Sequence, residues 1–398
     1  MTSNPSTPPQ AGRAAPLRFE LRDPAATANY WQRGVACLVG LVVASLVLVL
    51  DPQVGLDSLS AIWRTTLGTQ LGATQLVQLS TGLVVTGCAF AVAFRAKIWN
   101  IGMEGQLLMG AWSSTFVAFE FPNAEPQLLI PGMLLAGIAG GALYALVPAL
   151  LKAYIDVNEI ITTLMFNLIA LLWLAYWVTG RWRRSQGGAG TLESDAIPES
   201  AQFGSFTIGE VEIGYGMVLA VAVAFVLAAL FRYTVFGYRV KFIGSSVKAA
   251  KYAGVPVRRY TMTILVLSGS IAGLAGSIML MDFGNRYSVS LSNNTGYLGV
   301  VVGAAAAGSL MGSVAVALLV GFLVAAGSGL RLYGVSGNAV LLLVGMILMS
   351  LALSDVLARY RVVRPRGKEA PRFGGSNPQG NLNGPSSVGP KEAAERNP

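Results

Sequence analysis

The sequence predicts an all-α polytopic membrane protein with about 10 transmembrane or re-entrant helices and both termini cytoplasmic. Three observations carry this. Of the 398 residues, 54% are hydrophobic and only 12% are charged, and the mean hydropathy is +0.59, well above that of a chain with a hydrated surface. The apolar residues gather in runs close to the roughly 20 helical residues that cross a hydrocarbon core of about 30 Å. Most basic residues fall in loops on one side of those runs, as the positive-inside rule requires of the cytoplasmic side.

Taken in order, residues 1–30 are rich in Pro, Ala, Ser and Thr and cannot bury enough apolar surface to offset their ordering entropy, so they are expected to form a disordered tail. The expected membrane-spanning body runs from 31 to 358, and 359–398 is expected to be a second, basic disordered tail. Within the body the candidate spans lie near 34–50, 72–94, 99–119, 128–151, 159–179, 214–231, 260–283, 297–311, 313–331 and 337–356. The first run leads into Asp51-Pro52 without a small-residue cleavage site and reads as an uncleaved span rather than a signal peptide. Glycine interruptions predict half-helices or re-entrant segments around 80–105 and 296–312.

Charge orients the set. Arg95, Lys97, Lys152, the loop from Arg232 to Arg259, and Arg359, Arg361, Arg364 and Arg366 fall on one side. Opposite lie Asp51, Asp57, Glu120, Glu125 and the acidic residues of the 180–213 loop, where Arg181, Arg183 and Arg184 run against the trend. The basic balance of +9 carries no nucleic-acid signature.

Several function classes are excluded. The chain has no histidine, which removes imidazole metal sites, Ser-His-Asp triads and histidine relays. Cys37 and Cys88 both lie in apolar runs and form no metal or redox motif. No GxxxxGK[ST] loop is present, so ATP cannot be cradled here in the manner of a P-loop. No catalytic residues, metal or cofactor are expected.

One polar patch interrupts the apolar pattern. Trp99-Asn100-Ile101-Gly102-Met103-Glu104-Gly105-Gln106 lies between two apolar runs, and a carboxylate in hydrocarbon is costly enough that Glu104 must face protein or water. As a functional group, Glu104 with Asn100 and Gln106 would line a path for a polar solute. As a structural group it would cap free NH groups around Gly102 and Gly105, or pair with Arg95 or Lys97. Asn158 and Glu159 read as an N-cap and a first-turn acid, leaving Asn167 to face the bundle interior. The pattern Asn100-x-Gly102-x-x-Gly105 recurs as Asn294-x-Gly296-x-x-Gly299, each after a span containing Leu79-Ser80-Thr81-Gly82 or Leu267-Ser268-Gly269, which predicts duplicated halves. Asn100, Glu104, Gln106, Asn167 and Asn294 are therefore the candidate pathway residues.

The 232–259 loop carries seven basic residues and no acidic one. It reads either as an ordinary basic cytoplasmic loop or as a docking element. Within it a short helix is predicted, with Ser246 as N-cap, Gly254 as C′ residue and Pro256 preventing continuation. Ala249, Ala250 and Ala253 would leave a shallow face for another protein, with Tyr252 as anchor.

Three blocks, Asn100-Ile-Gly-Met-Glu-Gly-Gln-Leu-Leu-Met-Gly110, Val157-Asn158-Glu159-Ile-Ile-Thr-Thr-Leu-Met-Phe-Asn167 and Gly237-x6-Gly244-x4-Ala249-Ala250-x-Tyr252-Ala253-Gly254-Val255, resemble the permease subunits of bacterial ABC importers for nucleosides and simple sugars. That family is related to the ribose-type and branched-chain amino acid permeases. The resemblance covers about residues 75–355 and departs from the family pattern at Lys97, Lys248 and 304–308. It implies a subunit of the bacterial cytoplasmic (inner) membrane that moves a nucleoside, or a simple sugar, without enzymatic activity of its own. The implied partners are an ABC ATPase that binds the ATP, a second permease that is a different paralogous chain, and an extracytoplasmic solute-binding lipoprotein. The resemblance makes the 246–254 helix the coupling element, with Ser246, Lys248, Ala249, Ala250, Tyr252, Ala253 and Gly254 as its contact residues. The alternative from the residues is a secondary carrier or channel working alone, with Glu104 as its coupling group.

Overall fold

The computed structural model describes residues 63–185 and 192–331, together with 18–21, 39, 42, 345–346, 349–350 and 360–363. Apart from those few positions, the expected spans at 34–50 and 337–356 lie outside the described residues, as do most of both tails, Cys37, Asp51 and Asp57. The chain divides into two units. In one, β1 (Arg18–Leu21) pairs antiparallel with a strand at Tyr360–Val363. The other, residues 23–359, holds the helices.

Six helices among the described residues are long and apolar enough to cross a membrane. They are α1 (Gln70–Phe94), α3 (Pro126–Leu150, continued by a π-turn at Leu151–Ile155), α4 (Glu159–Thr179), α5 (Tyr215–Tyr233), α8 (Val257–Met279, continued by a π-turn at Leu280–Gly284) and α11 (Leu310–Arg331). Between them lie α2 (Met103–Glu120), the short helices α6 (Val235–Ser245), α7 (Val247–Tyr252) and α9 (Val289–Ser292), and α10 (Thr295–Ala305). The protein is thus a mostly helical, multi-pass membrane protein.

Local chemistry sets the helix ends. Thr69 caps α1 by accepting from the Gly72 NH, and Asn158 caps α4 by accepting from the Ile160 NH. On α4, Thr163, Asn167, Ala170, Leu174 and Val178 are buried while Ile161, Met165, Leu168, Leu172 and Tyr176 are exposed. That helical spacing puts one face on the bundle and leaves an apolar face outward, the arrangement a bilayer permits.

The centre of the fold is an antiparallel pair. Ser268 of α8 donates to the Ala89 carbonyl of α1 at 2.7 Å, and Gly82 of α1 sits against Met279 of α8. Each long helix is accompanied over its second half by a helix that begins midway along it. Thr295, Gly299, Gly303 and Gly308 meet Gly82, Thr86, Phe90 and Phe94 in that order, so α10 runs parallel to the half of α1 that ends at Arg95. Asn100, Gly110 and Ser114 meet Ser268, Gly273 and Ser277, so α2 runs parallel to the second half of α8. Because α1 and α8 point in opposite directions, the two arrangements are inverted copies of each other, as in inverted-repeat transporters. The repeated Asn-x-Gly-x-x-Gly pattern marks both half-helix starts.

Gly110, Gly141 and Gly273 allow the α2, α3 and α8 backbones to touch. A Cβ on Gly110 would lie 2.2 Å from the Gly273 carbonyl oxygen, and one on Gly273 would lie 2.2 Å from that of Gly137.

On the acidic side, β2 (Glu193–Ala196) pairs with β5 (Arg286–Ser288), and β3 (Ser205–Ile208) with β4 (Val211–Gly214). Two of the three arginines that run against the charge pattern are partnered there: Arg181 with Glu120 at 2.8 Å, and Arg184 with Glu193.

Candidate functional site

Two half-helix N-termini, those of α2 and α10, meet inside the bundle. Each presents unpaired NH groups and a positive dipole end, which call for acceptors. Glu104 supplies one for α10. Its Oε2 accepts from the Gly296 NH at 2.8 Å. The sequence left this group between a path-lining and a capping role. The capping that the structure places on it is across the chain, at Gly296, and not around Gly102 and Gly105.

Those two glycines are served by other side chains. The Gly102 NH donates to Asn100 Oδ1 at 3.1 Å and the Gly105 NH to Asn167 Oδ1 at 2.8 Å. Asn100 also donates from Nδ2 to Gln106 Oε1 and to Ser268 Oγ, both at 2.9 Å. Asn167 donates from Nδ2 to the Ile101 carbonyl at 2.9 Å and to the Tyr297 hydroxyl at 3.2 Å, joining α4, the break before α2, and α10. Arg95 instead donates from Nε to the Gly308 carbonyl at 3.1 Å and stacks on Phe231, while Lys97 lies over Phe94.

Four of the five candidate pathway residues, Asn100, Glu104, Gln106 and Asn167, are thus buried and mutually braced. Asn294 differs. It is exposed, left-handed at φ 62°, and its side chain makes no capping bond to α10. The repeat aligns Asn100 with Asn294, but Asn294 is itself the N-cap of α10 while Asn100 lies two residues before the N-cap of α2, and only Asn100 enters the polar network. Ser268 and Tyr297 complete that network and were not singled out as site residues. Ser268 lies in the repeated Leu-Ser-Gly element, the one cue to its position.

The second candidate site is α7 with its flanks. Ser246 Oγ accepts from the Ala249 NH at 3.2 Å. After the helix the Gly254 NH bonds to the Lys251 carbonyl at 3.1 Å and the Val255 NH to the Ala250 carbonyl at 3.0 Å, with Gly254 at φ 74°. That is a Schellman ending, for which glycine is the favoured residue. Ser246, Lys248, Ala249, Lys251, Tyr252, Ala253 and Gly254 are exposed, Tyr252 to 92%. Ala250 is the correction: it is 0% exposed and packs into its own chain, so it cannot belong to an outward contact face. In a six-residue helix alanine spacing does not reveal which side faces the protein, since α6 and α8 flank it.

Residues 72–352 match the family described as branched-chain amino acid transport system / permease component. The chain is 25% identical to the nucleoside ABC transporter permease protein NupB of Lactococcus lactis over 84% of this chain and 93% of that one. It is 29% identical to the glucose ABC transporter permease protein TsgB13 of Haloferax volcanii, covering 83% and 88%. It is 28% identical to the guanosine ABC transporter permease protein NupP of Bacillus subtilis, covering 72% and 82%.

Proposed function

Because the chain belongs to the branched-chain amino acid transport system / permease component family, and is a membrane permease subunit of ABC type rather than an enzyme, we propose that it imports a nucleoside, with a simple sugar as the second choice. The names of the similar permeases support this substrate class. A neutral hydroxylated solute also suits an interior in which Glu104, the one buried acidic residue among the described residues, is engaged by the Gly296 NH.

In this reading a separate ATPase binds ATP and docks on the exposed surface around α7, a second and different permease completes the pathway, and an extracytoplasmic lipoprotein delivers the solute to the acidic side. The bundle has about ten spanning or re-entrant segments with both termini on the basic side, in the bacterial inner membrane. Asn294 lines the path directly, while Asn100, Glu104, Gln106 and Asn167 hold the half-helices beside it. The observation that carries the coupling role is that α7 is capped at both ends yet turns Tyr252 outward to 92% exposure. An exposed tyrosine on a locally rigid helix is a low-entropy anchor for a partner.

The test is co-purification. Tyr252→Ala should leave membrane abundance unchanged and lose the ATPase and uptake together. Retention of both would return the loop to a topology signal. Binding of radiolabelled nucleosides and sugars to the co-purified lipoprotein separates the substrate classes.

A further inference from the structure

Arg95, Arg232 and Lys241 line one cavity of about 650 Å³ between the ends of α5 and α6 and the break that precedes α11. No acidic side chain lines it. The sequence contains no Asp or Glu between Asp282 and Asp355 or between Glu212 and Asp282, so the elements that build the cavity supply no carboxylate of their own. Asp282 belongs to the opposite end of α8, where it accepts from the Gly216 NH at the start of α5. None of the three cations forms an ion pair among the described residues.

The cavity has two characters. At its inner edge Arg95 is held in place: its Nε donates to the Gly308 carbonyl and its guanidinium lies 4.8 Å from the centroid of Phe231. The backbone there turns through Ala307 and Gly308, both left-handed, into α11, whose first turn carries no acidic residue. Of its lining, Met311 and Tyr238 are exposed, and the same two long helices carry further exposed apolar side chains, Phe225 and Val226 of α5 and Leu318 of α11. Cations and aromatic rings at the ends of spans, above an aliphatic helix surface, match the level at which lipid headgroups lie.

We propose that this cavity binds the phosphate headgroup of an anionic phospholipid of the cytoplasmic leaflet, with Arg95, Arg232 and Lys241 around the phosphate and the acyl chains along α5 and α11. Basic pockets between membrane helices on this side of a bilayer are suited to such headgroups. A free anion would use the three charges but not the aliphatic flank.

The experiment is native mass spectrometry of the full chain in mild detergent, titrated with phosphatidylglycerol or with phosphatidylcholine. The wild type should retain phosphatidylglycerol and not phosphatidylcholine. Arg232→Gln with Lys241→Gln removes two exposed charges and leaves the Arg95 brace intact. At ~1 kcal/mol for each cation near a charged lipid surface, retention should fall roughly thirtyfold. Arg258→Gln with Arg259→Gln removes the same charge from the same side outside the cavity and should leave retention unchanged. Equal retention of the two lipids by the wild type would overturn the proposal, as would equal loss in both double variants. Displacement of phosphatidylglycerol by millimolar inorganic phosphate would also overturn it, in favour of a soluble-anion site. Loss of lipid on adding the ATPase, with the Arg232/Lys241 variant failing to bind that ATPase, would assign the cavity to the protein partner instead.

Discussion

Replacing Glu104 by leucine tests the joint between the two half-helices. The substitution keeps approximate size and removes both carboxylate oxygens, so the Gly296 NH loses its acceptor. A buried donor left unpaired costs ~1–3 kcal/mol. By the scaling for folded domains of 150–250 residues, that lowers the apparent melting temperature by roughly 2–12 °C. Glu104→Gln retains one side-chain oxygen toward Gly296 and should lose less than half as much, with uptake preserved. The assay is thermal unfolding of detergent-purified variants beside uptake and membrane abundance. A leucine variant with wild-type melting and uptake would refute the brace. A glutamine variant that is stable but inactive would also refute it, since that result would make the charge itself the working group.

Three further outcomes follow from the same geometry. Ala250→Arg should reduce membrane abundance and thermal stability, because the side chain has no space in its own chain, whereas Ala249→Arg should insert normally and weaken ATPase co-purification. Gly254→Val should disturb α7 through backbone strain alone, since nothing lies within 4 Å of an added Cβ but φ is 74°; the expected cost is about 1–2 kcal/mol, read as partial loss of ATPase co-purification, with Gly254→Asn milder than Gly254→Val. Gly273→Leu should abolish accumulation in the membrane, because the α3 backbone occupies the position of the new side chain.

The helices were legible where one property decided them. Apolar runs of spanning length gave α1, α3, α4, α5, α8 and α11 nearly at their observed ends, and Asn158, Ser246 and Gly254 marked helix boundaries by local chemistry alone. The region 99–119 is less regular than an uninterrupted span, because α2 begins at Met103, beside the middle of α8, and 297–311 is occupied by an 11-residue helix that ends at Ala305. The half-helices were foreshadowed by glycine spacing. Their partners were not, because Asn100 bonds a serine 168 residues away and Glu104 an amide 192 residues away, and no local pattern carries such a pairing. Ala250 was misplaced for the related reason that a short helix shows its residues but not its neighbours. The conflict at Arg181 and Arg184 was visible as charge, whereas its resolution by Glu120 and Glu193 needed the fold.

The most direct measurement of the proposed function is nucleoside uptake into inside-out-controlled vesicles or proteoliposomes containing this chain with its co-purified partners, with ATP supplied to the ATPase side and the lipoprotein to the other. The expected result is uptake that requires ATP hydrolysis and all protein components and that persists when an uncoupler collapses the proton gradient. Uptake by this chain alone, abolished by the uncoupler and indifferent to ATP, would contradict the account and make the protein a gradient-driven carrier.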